Sequence, residues 1–414
     1  MTTEAPTPEF LPGLELSRIL YEQAVRPILA EEYPRLPYAA ARLGPGSEVL
    51  GFDTARSTDH DWGPRLEVFL APEAAAEHGA GVSRLLAERL PKQVRGWPTH
   101  FRRPDPGSPV AHMEPTEGPV DHRVTVTDLG GWLTARLGFD PVRAEPATRD
   151  WLATPQQNLA EVTAGAVFHD GPGSLTAVRR RLAWYPDQVW RYLLACQWQR
   201  ISQEEAFAGR CAEVGDDLGA ALVTGRLARD LMRLCLLLGR RYAPYGKWLG
   251  SAFARLPVAG ALTPSLRGAV TAARHPERER HLCDAYETVA ALQNRSGLAE
   301  PVDPACRPYH GRPFRVLHAE RFAHALATTL TDPALRGLPL TGSVDQWADS
   351  TDVLGRREPV RAAVDALLRR SAPVRDPRSS GEDVVADQAR GADHPGRPAQ
   401  VGQDDGQVAG GERQ

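Results

Sequence analysis

Cysteine is scarce in this chain, and the spacing of its cysteines argues against both a structural zinc site and a disulfide framework. Five cysteines are spread over 414 residues, at positions 196, 211, 235, 283 and 306. Because no two of them form a Cys-x-x-Cys pair, the spacing predicts neither a zinc site nor a disulfide framework. Cys196 and Cys235 lie in apolar stretches, so we expect them to be buried thiols, as in a protein from a reducing compartment.

Long hydrophobic runs are also missing. The longest, residues 234–238, is far shorter than the roughly 20 residues that span a bilayer. Residues 1–6 contain neither a basic region nor an apolar core, so the sequence predicts no signal peptide. We therefore expect a cytoplasmic protein with no membrane partner.

A net excess of positive charge is also lacking. The formal net charge is −3, and lysine is nearly absent. Proteins that bind nucleic acids or anionic membranes usually carry net positive charge, so the composition argues against a nucleic-acid partner. The hydrophobic fraction of 42% is ordinary for a globular protein, and 414 residues allow two or three domains.

The first half of the chain mixes helical and strand patterns. Leu16, Leu20, Ala24 and Ile28 recur every four residues and predict a helix over residues 14–33, with a kink near its end at a proline. Alternation, caps and breakers predict strands at 37–43, 61–70 and 123–127, and helices at 72–90 and 129–137. These patterns predict an α+β fold whose N-terminal part is a mixed sheet with flanking helices.

The second half reads as successive helices from residue 186 to about residue 330. A strong turn signal at 168–173 precedes this change, so we predict a first domain at 1–170 and an all-helical accessory domain at 171–370. After Arg370 the chain contains no Leu, Ile, Met, Phe, Tyr or Trp. Such a segment cannot bury enough apolar surface to offset its ordering entropy, so residues 371–414 are predicted to be disordered.

A Gly-Ser turn is the first half of the most informative motif. Gly46 and Ser47 open a turn that a second glycine, Gly51, follows. The backbone N–H groups and the hydroxyl of such a turn suit phosphate oxygens. Gly46 permits a close backbone approach, and Gly51 keeps the next turn free of side-chain obstruction.

A pair of acids is the second half. Asp59 and Asp61 stand one residue apart at the predicted start of a strand, where alternation sends both side chains to one face and His60 to the other. Two neighbouring carboxylates repel each other unless a cation lies between them, so the pair predicts a Mg²⁺ site. The turn and the acids together predict binding of ATP or another nucleoside triphosphate, against the plainer alternative of a surface turn followed by two solvated carboxylates.

The combined motif resembles that of nucleotidyltransferases of the DNA-polymerase-beta type, including the kanamycin-type antibiotic nucleotidyltransferases. The match covers residues 46–61, and a weaker likeness at 161–192 resembles the junction to a helical domain in such enzymes. The whole chain also resembles a bacterial domain-of-unknown-function family with a nucleotidyltransferase-like first half. The resemblance implies that Ser47 contacts the triphosphate and that Asp59 and Asp61 hold magnesium.

One part of that signature is missing. The family carries a third carboxylate on a later strand, and the strand predicted at 123–127 has Thr125 at its middle, with Asp121 and Asp128 beside its two ends. Without that acid, the usual general base is absent. Either transfer proceeds on metal and positioning alone, or the protein is an inactive nucleotide-binding relative.

The helical half supplies further candidates. Glu204 is a candidate base for an acceptor hydroxyl, since antibiotic nucleotidyltransferases take a base from their helical domain; the alternative is a helix-surface charge paired with an arginine. Tyr245 and Lys247 belong to a basic, aromatic cluster at 240–248 that can stack a base and hold phosphate. The alternative is that these are cations favoured by the dipole at the end of a helix.

Three functions follow from these features. The first is transfer of a nucleoside monophosphate from Mg-NTP to a hydroxyl of an unknown small-molecule or protein acceptor. The second is an inactive nucleotide-binding or antitoxin-like regulatory protein, which the threonine at the expected acid position favours. The third and weakest is an RNA-modifying nucleotidyltransferase, against which the acidic balance argues.

Overall fold

The structure is a computed structural model, and it describes residues 8–105, 107–108 and 110–369. The predicted N-terminal helix is present as α1 (Gly13–Leu20), a π-helical turn (Tyr21–Val25) and α2 (Arg26–Glu32). The irregularity is this π turn, which precedes the proline. The proline itself is in the first turn of α2, directly after the π turn, and a proline inside a continuous helix removes one helical hydrogen bond.

The remaining elements of the N-terminal half include the predicted strands and helices in their predicted order, together with short strands and helices that the sequence analysis did not predict. They are β1 (Ala39–Arg42), a 3₁₀ turn (Ala55–Asp59), β2 (Arg65–Leu70), α3 (Pro72–Arg89), β3 (Gln93–Val94), β4 (Trp97–Pro98), β5 (Phe101–Arg102), β6 (His112–Met113), β7 (Arg123–Asp128), α4 (Leu129–Leu137), α5 (Thr148–Ala153), α6 (Gln156–Thr163) and β8 (Ala166–Asp170). Gly138 ends α4 in the left-handed conformation, at φ +82°, as a glycine after a helix does.

The C-terminal half is helical, apart from one short two-stranded ribbon. Its elements are α7 (Ser174–Arg181), α8 (Asp187–Glu204), α9 (Phe207–Glu213), α10 (Asp217–Leu238), α11 (Gly246–Ala254), α12 (Ala259–Thr271), α13 (His275–Arg295), β9 (Arg307–Pro308), β10 (Arg315–Val316), α14 (Glu320–Ala327), α15 (Val344–Trp347), α16 (Thr351–Leu354) and α17 (Arg357–Leu368). The fold is therefore α+β, as the sequence predicted.

Four of the strands form one mixed sheet in the order β7-β2-β1-β8. β2 and β7 are parallel, with Glu67 opposite Thr125, while β1 pairs antiparallel with both β2 and β8. The parallel pair is connected through α3, as a parallel crossover requires. This topology puts the turn after β1 and the segment before β2 at the same edge of the sheet.

The two faces of the sheet bury different side chains. Leu66, Val68 and Leu70 of β2 pack with the N-terminal helix and α3 in one apolar core. Phe69 points to the other face and joins a second, larger core. Every residue of β1 is buried, because this central strand is covered on both faces.

The larger core connects the sheet to the helices. It contains Phe69 together with buried residues of α8 and α10, such as Trp198 and Leu231. Trp198 stacks on Phe322 of α14, with ring centroids 4.8 Å apart. Each fully buried leucine of this kind stabilises the fold by about 1.5–3 kcal/mol relative to an exposed one.

The described residues form a single compact unit. The division at residue 171 stays a prediction, since the sheet and the helices share apolar packing across it. The predicted disordered tail, 371–414, lies outside the described residues. Cys196 and Cys235 are buried as expected, and burial raises the pKa of the Cys235 thiol to about 12. None of the described helices combines the length and the apolar character needed to cross a membrane.

Candidate functional site

The Gly-Ser turn follows β1 directly, and its conformation depends on glycine. Gly46 has φ +151° and Gly51 has φ +68°. A Cβ on Gly46 would lie 2.5 Å from Oε2 of Glu48 and 2.7 Å from guanidinium nitrogens of Arg42 and Arg65. Any side chain at this position would therefore collide with the charged groups packed beneath the turn.

Those charged groups form a buried ion-pair network that sequence reasoning missed. Glu48 is 1% exposed and accepts hydrogen bonds from Nε of Arg42 at 2.9 Å and from Nε of Arg65 at 3.0 Å. Glu67 of β2 pairs with Arg42 at 3.0 Å and accepts the backbone N–H of Leu43 at 2.9 Å. The network holds the turn against β1 and β2. The only sequence signal for the network is that β2 carries charged residues at alternate positions, Arg65 and Glu67, while its other residues are apolar.

The balance of burial and charge differs between the two acids of this network. Burial opposes ionisation of Glu48, but Arg42 and Arg65 outweigh it and hold its pKa below the ordinary value. For Glu67 burial dominates and raises the pKa, although Arg42 acts in the opposite direction. Both carboxylates are engaged with arginines, so neither replaces the missing third acid of the motif.

The acid pair is not on a strand, which corrects the expectation from alternation. Asp59 ends the 3₁₀ turn, Asp61 has φ +46°, and β2 begins only at Arg65. Between Asp61 and Arg65 the backbone turns at Gly63, which has φ +139°. The neighbouring Trp62 is buried and donates its indole N–H to Asp53 at 3.1 Å. The two acids therefore lie in a loop at the edge of the sheet.

The loop leaves both carboxylates accessible. The side chains of Asp59 and Asp61 are 66% and 41% exposed. Oδ1 of Asp59 lies 3.0 Å from Nδ1 of His60, so this histidine lies beside the acid and not on an opposite face. Oδ1 of Asp61 accepts the N–H of Ala111 at 3.3 Å and lies 3.8 Å from the guanidinium of Arg123.

The turn and the acids meet in one cleft of about 660 Å³. Its lining includes Gly46, Ser47, Asp59, Asp61, Arg65, Lys247 and Trp248. Five of the residues singled out from the sequence are thus brought together, although 200 positions separate Lys247 from Ser47. Chain folding supplies both anionic and cationic groups to the same opening.

The cleft meets part of what a magnesium ion requires. Within the described residues, no group of three or more His, Cys, Asp or Glu side chains is placed to hold a metal. Mg²⁺ in phosphate-transfer sites commonly takes one or two carboxylates, with water and substrate phosphate completing its shell. Asp59 and Asp61 fit that smaller requirement, because both line the cleft and both are exposed.

Helix α11 forms the opposite wall. Trp248 stacks on Phe52, with ring centroids 5.6 Å apart, and the ammonium of Lys247 lies 5.4 Å from the centre of the Trp248 ring. Arg255, just after α11, lies over the Phe52 ring at 4.0 Å and donates a hydrogen bond to the carbonyl of Leu50 at 3.0 Å. The end of the Gly-Ser turn is therefore fixed against the helical half.

Three other candidates lie elsewhere. Gly51 does not line the cleft, and its carbonyl accepts a hydrogen bond from Arg255. Tyr245 packs edge-on against Trp248 at 4.9 Å but lines a separate small pocket. Glu204 pairs with Arg226 on α10 at 2.9 Å, outside the cleft lining, so its placement matches the salt-bridge alternative and not the general base. The pattern of charges in the sequence did not distinguish a salt bridge at Glu204 from a general base.

Comparison with known proteins finds a family match to part of the chain and a distant structural likeness. Residues 151–249 match a family described as a domain of unknown function (DUF4037). A crystal structure of a nucleotidyltransferase-like protein from Exiguobacterium sibiricum is 15% identical, with a TM-score of 0.30, over 77% of this chain and 92% of that one. No curated protein matches the chain. The family match covers about a quarter of the chain, and the structural likeness is too low to support an inference about function.

Proposed function

We propose that the cleft binds a nucleoside triphosphate with Mg²⁺, and that the protein transfers a nucleoside monophosphate to a hydroxyl of an acceptor. The observation that carries this proposal is the assembly of the Gly-Ser turn, both acids and Lys247 around one opening. A solvated surface turn is not expected to share a cleft with two acids and with one of the few lysines of the chain. The motif resemblance at residues 46–61 supports the same reaction.

Each lining group has a distinct task in this proposal. Ser47 and neighbouring backbone N–H groups bind phosphate oxygens, and Lys247 offsets their charge from the other wall. Asp59 and Asp61 hold the magnesium ion, which neutralises phosphate charge when bound. Trp248 offers an aromatic face for the base or the sugar. The acceptor hydroxyl then displaces pyrophosphate, and its proton passes to water.

Positioning and electrostatics provide most of the rate in such a scheme. Phosphoryl-type transfer demands little covalent chemistry from the protein, so the absence of a dedicated base slows the reaction without forbidding it. Glu204 does not fill that role in the described arrangement, since it is paired with Arg226.

A second candidate is nucleotide binding without transfer. The sheet register favours it, because Thr125 occupies the strand position beside Glu67, and Glu67 is bound to Arg42. A regulatory protein of this kind would keep the turn and the acids for binding alone.

Labelled ATP, Mg²⁺ and a panel of hydroxyl acceptors separate these functions. We expect pyrophosphate release by the native protein and none by Asp59→Asn/Asp61→Asn. We also expect Mg²⁺-dependent binding in that variant to weaken about tenfold or more, or roughly 1.4 kcal/mol, because the metal loses its protein carboxylates. Asp284→Asn is the matched control, since Asp284 is exposed on α13 and outside the cleft lining.

Calorimetric titration with ATP, compared with the pyrophosphate assay, distinguishes the two functions. Tight binding without pyrophosphate release would select the regulatory candidate. Binding of ATP that is equal in the native protein and in Asp59→Asn/Asp61→Asn would contradict both functions, because neither would then use the acid pair.

A further inference from the structure

A second cleft, of about 560 Å³, is lined by Leu50 and Phe52 from the end of the Gly-Ser turn and is strongly basic. Its lining contains Arg179, Arg240, Arg241 and Arg255 and no aspartate or glutamate. The chain as a whole carries a net charge of −3, so this concentration of positive charge is local. Phe52 lines both clefts and separates them.

Two of the four arginines are fixed by backbone carbonyls. Arg179 donates hydrogen bonds to the carbonyls of Val162, Thr163 and Ala164 at 3.2, 2.7 and 2.8 Å, at the C-terminal end of α6. Arg255 donates to the carbonyls of Leu50 and Gly51. These contacts set the positions of the guanidinium groups, but carbonyl dipoles do not cancel a full charge. Burial lowers the pKa of Arg179, as expected for a cation with no carboxylate nearby.

The other two arginines make no hydrogen bond or ion pair through their side chains with any described residue. Both Arg240 and Arg241 are exposed, and they follow the C-terminal end of α10. Arg240 lies over the ring of Trp190 at 4.3 Å, which orients its plane. The dipole of α10 favours cations at this end, but it does not account for Arg179 and Arg255, which come from other segments.

Like charges held in a concave surface repel one another, and a bound anion removes that repulsion. The planar guanidinium fork matches phosphate oxygens in a bidentate manner. Apolar side chains complete the walls, among them Leu236, Leu256 and Phe52, so the remainder of a ligand would meet a nonpolar surface. The volume suits a small molecule.

We propose that this basic cleft is a binding site for a small phosphorylated molecule. Arg179 and Arg255 provide the fixed part of the site, and Arg240 and Arg241 are the exposed cations that engage the phosphate. The site is distinct from the nucleotide cleft, since the two linings share only Phe52.

The test uses the full chain at low salt, with EDTA to remove divalent ions. Inorganic phosphate, ribose 5-phosphate and ribose are titrated by calorimetry. We expect both phosphates to bind and ribose not to bind. We expect Arg240→Ala/Arg241→Ala to weaken phosphate binding about tenfold or more, because two charge-assisted contacts are lost. Arg267→Ala is the matched control, since Arg267 is exposed on α12 with no side-chain partner among the described residues.

Further titrations distinguish the basic cleft from the nucleotide cleft and from a surface that binds nucleic acid. Lys247→Ala, which removes the cation that lines the nucleotide cleft, should bind phosphate as the native protein does, whether or not it binds nucleotide. Loss of phosphate binding in that variant would place the anion in the nucleotide cleft and overturn the proposal. Equal binding by the native protein and Arg240→Ala/Arg241→Ala would also overturn it. So would tighter binding of a short single-stranded RNA than of ribose 5-phosphate, because the ligand would then be a macromolecule.

Discussion

At the scale of single residues, the site depends on which charges are buried and which are exposed. Glu48 and Glu67 are buried with Arg42 and Arg65, so they stabilise the turn and are not available to a ligand. Asp59 has the opposite environment, because a loop carries it into solvent. Acidic side chains in the same part of the chain therefore have a structural role in one place and a candidate ligand role in another.

Glu205 shows how burial of one residue affects stability. It is 5% exposed and accepts backbone N–H groups from Leu317 and Ala319 at 2.9 Å and from His318 at 3.1 Å, so it joins the end of α8 to the start of α14. Burial raises the pKa of Glu205 to about 7, although these three N–H groups act to lower it. In the folded protein this carboxyl group therefore holds its proton to a higher pH than in the unfolded chain.

The sign of the pH dependence follows from that difference. Below the ordinary glutamate pKa of 4.5 the group is protonated in both states. As the pH rises toward about 7, the unfolded chain ionises first, so the contribution of Glu205 to stability is lost, by up to roughly 3 kcal/mol. We expect the free energy of unfolding to fall less steeply between pH 4.5 and 7 in Glu205→Gln than in the native protein, by urea denaturation.

Other acids whose pKa is raised by burial, such as Glu67 and Asp345, titrate in both proteins and cancel in that comparison. Glu88→Gln, at an exposed position of α3, is the control and should keep the native slope. Parallel slopes for the native protein and Glu205→Gln would show that Glu205 is ionised in the folded state at these pH values.

At the scale of elements, α11 decides the geometry of the nucleotide cleft. The helix begins at Gly246, next to the cationic Lys247 and the aromatic Trp248, and it packs against Phe52 from the turn. Without this contact the acids and Ser47 would line an open surface. The cleft is therefore a property of two elements that are distant in the chain.

Removal of the indole of Trp248 tests this role. We expect Trp248→Ala to weaken ATP binding about fivefold to tenfold, since one aromatic contact contributes roughly 1 kcal/mol. Fluorescence or calorimetric titration measures the change, and urea denaturation measures the accompanying loss of stability. Trp347→Ala is the control, because Trp347 is partly exposed on α15 and outside the cleft lining. Equal losses of ATP affinity in the two variants would assign the effect to general destabilisation.

At the scale of the whole molecule, one apolar core passes from the sheet into the helices. Ala39, Ala41 and Phe69 of the sheet share it with buried residues of α8 and α10. A chain cut at the predicted boundary would expose this face of the sheet to water. The nucleotide cleft and the basic cleft both lie where the two halves meet.

Fragment studies test the shared core. We expect residues 1–170 alone to lack a cooperative unfolding transition, because the apolar face that Phe69 occupies has lost its covering helices. Circular dichroism and urea titration of that fragment, beside the intact chain, measure this. A cooperative transition in the fragment would support two independently folding domains at the predicted boundary.

The sequence by itself determined the order of the main elements, the fold class and the Gly-Ser turn, because helical and strand periodicities and glycine positions are local properties. Only the tertiary structure decided the surroundings of each charge. Asp59 and Asp61 lie in a loop before β2 and not on the strand. Glu204 pairs with Arg226 outside the nucleotide cleft. The packing of α11 against Phe52 places Lys247 in the same cleft as Ser47. These outcomes depend on contacts between residues far apart in the chain, and periodicity carries no information about such contacts.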